Sequence, residues 1–297
     1  MQKLMDLRRA HPVGYSAAAA LVSIAVILLA AVAVQVVVTV AGIQADYYVL
    51  VLAQEALGAL LICALLKASG CGSVLRQKGC GFGRGLLIGM YPLVLIVFAG
   101  VSNFAAAKAS GAQDVPLYHA AAFLAAMGLI GLAEEAAFRG LVAGTLLEAF
   151  GTSRAGVWKA TVLSGVLFGA AHLTNALGAS LVGVCIQTIV AAVLGMLFAA
   201  IYFRSGNLWV TVFLHAAMDT ASLLGSGLFV GGGTDATVAE TISGYSLINL
   251  LPVVTYLLPT LFLLRKKKLP AIQTLWTRPV PCESTQTGET AEPGSPA

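Results

Sequence analysis

Long runs of apolar residues constrain this chain more than any other feature of its sequence. A helix needs about 20 mostly apolar residues to cross the hydrocarbon core of a bilayer, and about eight runs reach that length. Hydrophobic residues make up 59% of the chain and charged residues only 10%, whereas a soluble domain carries about 25% charged residues. The sequence therefore predicts an all-α, polytopic membrane bundle of about eight transmembrane helices enclosing a polar cavity. The expected spans lie near Pro12–Val40, Tyr47–Lys67, Gly85–Ala106, Leu117–Phe150, Val157–Ala176, Leu181–Phe203, Leu208–Val230 and Tyr245–Leu264.

Positive charge predicts how the bundle is oriented. Of the 17 Lys and Arg residues, all but Lys108 and Arg139 fall on one side of the even-span arrangement, and short loops rich in Lys and Arg stay cytoplasmic. Both termini are therefore expected in the cytoplasm. The net charge of +4 then indicates topology and contact with anionic lipid headgroups, not a nucleic-acid partner, because no basic helix stands outside the membrane.

The two ends of the chain differ in character. The first apolar run is about twice the usual length of a signal-peptide core, so a retained anchor is expected. Residues 1–268 are expected to form the transmembrane domain. Residues 269–297 turn polar and rich in Pro, Thr, Ser and Glu, which predicts a disordered cytoplasmic tail. The five cysteines show no pattern typical of disulfides or zinc binding.

Ionisable side chains inside the apolar runs form three short motifs. A charge near the bilayer centre costs about 2.5 to 3.5 kcal/mol even on the milder insertion scale, so such residues usually face one another or a wet cavity and mark functional sites. We therefore predict a site formed by Glu134, Glu135, Arg139, His172, His215 and Asp219.

The first motif combines an ion pair with a free acid. Glu135 and Arg139 are four residues apart, which favours an intrahelical ion pair. Glu134 lies about 100° away around the helix and is left to act as a titratable base. A purely structural charge cluster that ties helices together is the alternative interpretation.

The two histidines lie on separate spans. His172 is expected at the same depth as Glu134, so that the imidazole and the carboxylate could hold one water molecule between them. Gly165 and Gly169, on the span of His172, are spaced to let a neighbouring helix approach closely. As an alternative to catalysis, a lone membrane histidine can bridge helices by a hydrogen bond.

The third motif pairs an imidazole with an acid on one helix face. His215 and Asp219 are separated by four residues, so the carboxylate could hold the imidazole tautomer. A proton-relay or packing pair is the alternative.

Taken together and in this order, the three motifs resemble those of the CAAX-protease and bacteriocin-processing family of intramembrane endopeptidases. The family motifs are a double glutamate followed by an arginine, a phenylalanine four residues before a histidine, and a histidine four residues before Asn or Asp. The resemblance covers about residues 117–223. It implies that Glu134 with His172 activates the hydrolytic water, that Glu135 and Arg139 support the site, and that His215 with Asp219 stabilises the oxyanion in a helical bundle open to the cytoplasm.

One position departs from the family pattern, and one question concerns a metal. The best understood members carry Asn where this chain has Asp219, and an ionised carboxylate cannot donate a hydrogen bond to an oxyanion. We therefore expect Asp219 to orient or charge His215. Glu134, His172 and His215 could also supply a catalytic zinc site. No cofactor is required by the water-and-glutamate chemistry, so the metal-free version is favoured, with zinc as the alternative.

Three further expectations concern function and partners. A peptide or protein substrate delivered in the lipid bilayer is expected, and a prokaryotic plasma membrane is the expected location. The alternatives to an endopeptidase are a non-catalytic scaffold or bacteriocin-immunity protein of the same fold, and a proton-coupled transporter, although no internal repeat typical of transporters is found.

One further acid lies inside a predicted span. Glu55 and the neighbouring Gln54, in the second span, are interpreted as a structural polar pair.

Overall fold

The computed structural model describes residues 2–234 and 237–276, and almost all of this part of the chain is helical. Arg278 and Cys282, counted above among the basic residues and the cysteines, lie outside it. The α-helices are α1 (Gln2–Ala10), α2 (Pro12–Val40), α3 (Tyr47–Ala68), α4 (Phe82–Ile88), α5 (Met90–Ala109), α6 (Leu117–Glu135), α7 (Gly144–Phe150), α8 (Arg154–Ala171), α9 (Leu181–Ser205), α10 (Leu208–Ser222), α11 (Leu224–Leu228), α12 (Val238–Ser243), α13 (Leu251–Leu263) and α14 (Leu269–Trp276).

The predicted membrane bundle is confirmed, with fewer spans than expected. In the described residues, six helical segments are long and apolar enough to cross a membrane, or seven if Leu247–Leu263 and Lys266–Trp276, bent by 58°, form one span. The shortfall from the predicted eight lies at α10. This helix has 15 residues, which gives a length of about 22 Å, less than the roughly 30 Å of the hydrocarbon core. The six segments are Pro12–Val40, Tyr47–Ala68, Met90–Ala109, Leu117–Phe150, Arg154–Leu177 and Leu181–Ser205.

The span Leu117–Phe150 is one of the two most buried spans and changes its hydrogen-bond pattern midway. Between α6 and α7 lies the π-helical segment Ala136–Ala143, all of whose residues are buried. A π-helical turn pairs residues five apart and is frequent at functional sites. The regular helical spacing assumed from the sequence therefore ends at Glu135, one residue into the first motif.

A short strand pair and a helix cap connect the ends of neighbouring spans. The strands β1 (Gln113–Asp114) and β2 (Phe229–Val230) pair antiparallel and connect the loop before α6 to the segment after α11. The side chain of Asp46 caps α3 by accepting the amides of Tyr48 and Val49, and it also accepts a hydrogen bond from His119 Nδ1 at 2.7 Å. Burial raises the pKa of Asp46, but these hydrogen bonds and the nearby His119 outweigh it, so the pKa is lowered.

The boundary predicted for the tail is wrong by at least eight residues. Residues 269–276 form α14, in which Ile272 is fully buried and Trp276 donates from Nε1 to the carbonyl oxygen of Phe203 at 2.9 Å. Three apolar side chains at helical spacing, Leu269, Ile272 and Trp276, explain why this stretch packs. The remainder of the expected tail, 277–297, lies outside the described residues.

Helices α8 and α9 approach closely through glycines, as predicted. A Cβ atom added at Gly169 would lie 2.6 Å from the carbonyl oxygen of Thr188, and one added at Gly165 would lie 2.6 Å from that of Ala192. Such distances leave no room for a side chain at either position. The two glycines therefore fix the position of α8, and with it the position of His172 at its end.

We predict that Gly169→Ala destabilises the protein by about 1 to 3 kcal/mol, the usual cost of overpacking a close contact. Gly128→Ala is the matched control, because a Cβ at this helical position in α6 would have no neighbour within 4 Å. It should be neutral or slightly stabilising, since Ala favours a helix more than Gly does. Thermal unfolding in detergent measures both effects. Equal unfolding temperatures for the two variants would contradict the close contact.

Candidate functional site

Helices α6 and α10 meet at a contact that only a glycine permits, and this contact positions two of the three motifs. A Cβ atom on Gly131 would lie 2.9 Å from the carbonyl oxygen of Val212 and 3.0 Å from the amide nitrogen of Ala216. Gly131 precedes Glu135 by four residues and therefore lies on the same face of α6. The close approach brings Glu135 beside His215, the residue before Ala216.

A chain of three charged or titratable groups forms the buried half of the site. Arg139 Nη1 lies 3.1 Å from Glu135 Oε1, so the predicted ion pair is present, and both side chains are completely buried. The same oxygen of Glu135 lies 2.8 Å from His215 Nδ1. Because an ionised carboxylate only accepts hydrogen bonds, His215 must donate from Nδ1. Glu135 therefore links Arg139 to His215. Because it contacts Nδ1, the Nε2 atom of His215 points away from Glu135.

Arg139 is surrounded by aromatic rings and a carbonyl group. Its guanidinium carbon lies 4.6 Å from the ring centre of Phe168 and 5.4 Å from that of Phe198. Arg139 Nη2 donates to the carbonyl oxygen of Gly195 at 3.2 Å. The rings attract the cation through their negative faces. The first motif is thereby fixed to α8 through Phe168 and to α9 through Phe198 and Gly195.

Two carboxylates converge on the other nitrogen of His215. Glu134 Oε2 and Asp219 Oδ2 each lie 3.6 Å from His215 Nε2. Their side chains are 27% and 28% exposed, whereas Glu135 is 0% exposed. The two neighbouring glutamates thus have different surroundings, and Glu134 is the more accessible of the two.

The partner that orients His215 is not the predicted one. We expected Asp219 to hold the imidazole tautomer, but Glu135 contacts Nδ1 and Asp219 lies on the Nε2 side. The physical reason is the close packing of α6 on α10. This packing places the fully buried carboxylate of Glu135 beside His215 Nδ1. Asp219 lies one turn further along the helix that carries His215, and its carboxylate is on the Nε2 side.

His172 is held separately from Glu134. Its Nδ1 donates to the carbonyl oxygen of Phe168 at 3.0 Å, so Nε2 of a neutral ring carries the free electron pair. The described residues include no hydrogen bond or ion pair between His172 and Glu134. The two imidazoles do share a neighbour, since the ring of Phe168 lies 5.0 Å from that of His172 and 5.9 Å from that of His215.

The donor atoms only partly suit a zinc ion. Both histidines donate from Nδ1 to a fixed acceptor, which is how zinc-binding histidines are usually oriented. However, within residues 2–234 and 237–276 no group of three or more His, Cys, Asp or Glu side chains is arranged to hold a metal ion. Glu134, His172 and His215 are therefore not gathered into a ligand set in this arrangement.

A further acid near the site was assigned a structural role from the sequence. Glu55, on α3, interacts electrostatically with both Glu134 and Asp219. Among the described residues it forms no hydrogen bond with Gln54, the partner that we had assumed. The signal was already in the sequence, because an acid inside a span is by itself an indication of a functional site. Glu55 is therefore a further acid close enough to Glu134 and Asp219 to interact with both.

Part of the chain is similar to a known protein family. A family model described as type II CAAX prenyl endopeptidase Rce1-like matches residues 116–221. This range nearly coincides with the core of residues 117–223 expected from the motifs, and it includes all six predicted site residues. No curated protein and no solved structure matches the chain.

We predict that Glu135→Ala and Arg139→Ala each destabilise the protein by about 3 to 5 kcal/mol, because either change leaves a buried charge without its partner. The double variant should lose less than the sum of the two. Lys108→Ala is the control, since the Lys108–Asp114 pair is exposed and should contribute at most about 1 kcal/mol. Thermal unfolding provides the comparison. Single losses as small as that of Lys108→Ala would show that the pair is not buried.

Proposed function

We propose that this membrane protein hydrolyses a peptide bond of a substrate delivered in the bilayer, because residues 116–221 match the family model described as type II CAAX prenyl endopeptidase Rce1-like. The observation that carries the proposal is the convergence of Glu134 and Asp219 on His215 Nε2. The buried Glu135–Arg139 pair contacts the other nitrogen of the same ring through Glu135. The site thus combines a base, a hydrogen-bond donor and a fixed scaffold, the three parts needed for water to attack a carbonyl group.

Glu134 is the proposed general base. Its carboxylate is accessible and makes no hydrogen bond within the described residues, so it can accept a proton from a water molecule. The free Nε2 of His172 would hold the same water by a second hydrogen bond. The oxygen of that water then attacks the carbonyl carbon of the scissile bond, and the proton on Glu134 is available to the leaving amine.

His215 is the proposed donor to the oxyanion. Three carboxylates surround its ring, Glu135 at Nδ1 and Glu134 and Asp219 at Nε2. This negative surrounding favours the imidazolium, in which both nitrogens donate. Nε2–H can then stabilise the negative charge that develops on the carbonyl oxygen. Asp219 is proposed to favour this charged form, because a carboxylate cannot donate to the oxyanion itself.

Location and substrate follow from chain-wide features. We propose that both termini are cytoplasmic, because the loops rich in Lys and Arg lie on their side. We propose a prokaryotic plasma membrane as the location, and a membrane-delivered peptide in place of a prenylated protein as the substrate. A non-catalytic scaffold, a bacteriocin-immunity protein and a proton-coupled transporter are the alternatives that the experiments below test.

The main test is cleavage of a peptide library by the purified protein in detergent, comparing wild type with Glu134→Gln. Glutamine keeps the shape of the side chain but accepts no proton, so cleavage should fall by about 10²- to 10⁴-fold. Stability should stay near that of wild type because Glu134 is partly exposed. The control is Glu240→Gln, an exposed position in the capping box of α12 where glutamine also serves.

The outcomes separate the alternatives. No cleavage by the wild-type protein with any peptide would favour the scaffold or the transporter. Full cleavage by Glu134→Gln would remove Glu134 from the role of base. Elemental analysis of the same preparations addresses zinc, for which we predict little metal. One zinc per chain, lost in both His172→Ala and His215→Ala, would replace the metal-free mechanism.

A separate prediction concerns Asp219. Turnover should decrease in the order Asp, Asn, Ala at this position. Asn can itself donate to the oxyanion and should retain part of the activity, whereas Asp219→Ala should lose about 10²- to 10³-fold, the usual effect of removing one stabilising group. Single-turnover cleavage rates provide the measurement. If Asn is as inactive as Ala, the proposed effect of Asp219 on His215 is wrong.

A further inference from the structure

A large cavity lies at the basic end of the bundle, on a different face of the central span from the candidate site. It has a volume of about 1210 Å³ and contains none of the six site residues in its wall. Gly140 belongs to this wall, whereas its neighbour Arg139 contacts Phe168 and Gly195 on the other side of the helix. The cavity is therefore separate from the site, and the sequence motifs do not account for it.

The wall of the cavity carries a strong positive charge. Among the described residues it contains four cations, Arg8, Arg9, Lys67 and Arg76, and a single acid, Glu148. Glu148 is already paired with Arg8 Nη1 at 3.0 Å. Cations therefore outnumber acids among the described wall residues, and Lys67 has no acidic partner among them, so the cavity favours an anionic ligand.

Two of these cations have donor atoms without an acceptor. Lys67 Nζ forms no hydrogen bond or ion pair with any described residue. Arg8 uses Nη1 for its three hydrogen bonds, to Cys71, Thr145 and Glu148, and its Nη2 has no acceptor in the described part of the chain. An anion between Lys67 and Arg8 would supply one to both.

An apolar strip leads from the cations toward the middle of the membrane. Leu60, Cys63 and Ala64 line the cavity together with Lys67, and their spacing places all four on one face of α3. The strip is about 10 Å long at 1.5 Å per residue. Leu60 is 67% exposed, so the strip is open to a lipid chain that lies along it.

Two tryptophans at the cavity indicate that it lies at the level of the lipid headgroups. Trp276 forms part of the wall and donates from Nε1 to the carbonyl oxygen of Phe203. Trp209 donates from Nε1 to the carbonyl oxygen of Leu75, another wall residue. Tryptophan is enriched where the bilayer meets water. The cations and the apolar strip therefore match the two halves of an amphiphile at an interface.

We propose that this cavity binds an anionic phospholipid, with the phosphate between Lys67 and Arg8 and an acyl chain along Leu60 and Ala64. Basic pockets between transmembrane helices bind lipid headgroups in this way. Binding here does not depend on hydrolysis at the other site. A free phosphate compound carries the same anionic group as the lipid. It is therefore the competing ligand that an experiment has to distinguish.

The test uses the full chain, delipidated in detergent and then titrated with phosphatidylglycerol, phosphatidylcholine or inorganic phosphate. Native mass spectrometry counts the bound lipids, and thermal unfolding gives an independent measurement. Phosphatidylglycerol should bind and raise the unfolding temperature, whereas phosphatidylcholine and phosphate should have little effect. Equal effects of the two lipids would overturn the proposal, as would phosphate alone reproducing the effect of phosphatidylglycerol.

Three variants test where the lipid binds. Lys67→Gln should weaken phosphatidylglycerol binding roughly tenfold, as expected for the loss of one charge-assisted hydrogen bond, and Lys67→Arg should restore most of it. Lys159→Gln is the matched control, because Lys159 is an exposed cation near the start of α8 outside the cavity wall. Equal weakening by Lys67→Gln and Lys159→Gln would indicate nonspecific charge attraction and would reject the site.

Discussion

The buried guanidinium of Arg139 is the group on which the arrangement of the site depends. A completely buried cation inside a membrane bundle is costly unless it is paired and hydrogen-bonded. Glu135 supplies the charge, the carbonyl group of Gly195 accepts a hydrogen bond, and the rings of Phe168 and Phe198 face the cation. These partners come from α6, α8 and α9, so the requirements of one side chain bring three helices to one point.

The same interaction separates two neighbouring glutamates into different roles. Glu135 is committed to Arg139 and to His215 Nδ1, and it is sealed from solvent. Glu134, one residue earlier, points away and stays accessible. An acid committed to two partners is a poor proton acceptor, whereas an accessible one without a hydrogen-bond partner is well suited to accept a proton. The double glutamate of the motif thus places one carboxylate in a buried ion pair and leaves the other accessible for the proposed role of base.

What the sequence predicted well depends on local geometry. The Glu135–Arg139 pair follows from the distance between residues four apart on a helix, and the close contact of α8 with α9 follows from Gly165 and Gly169. The partner of His215 was predicted wrongly because it depends on how α10 packs on α6, and the spacing of residues along one chain carries little information on such a contact. The π-helical segment and α14 were missed for a related reason, since packing rather than periodicity decides both.

The central span also separates the two functions inferred here. The π-helical segment Ala136–Ala143 presents Arg139 to the candidate site and Gly140 to the basic cavity. A Cβ atom on Gly140 would lie 2.7 Å from the side chain of Leu66, so α3 packs directly against this segment beside Lys67. One buried π-helical segment therefore contributes a side chain to the candidate site and a glycine to the wall of the basic cavity.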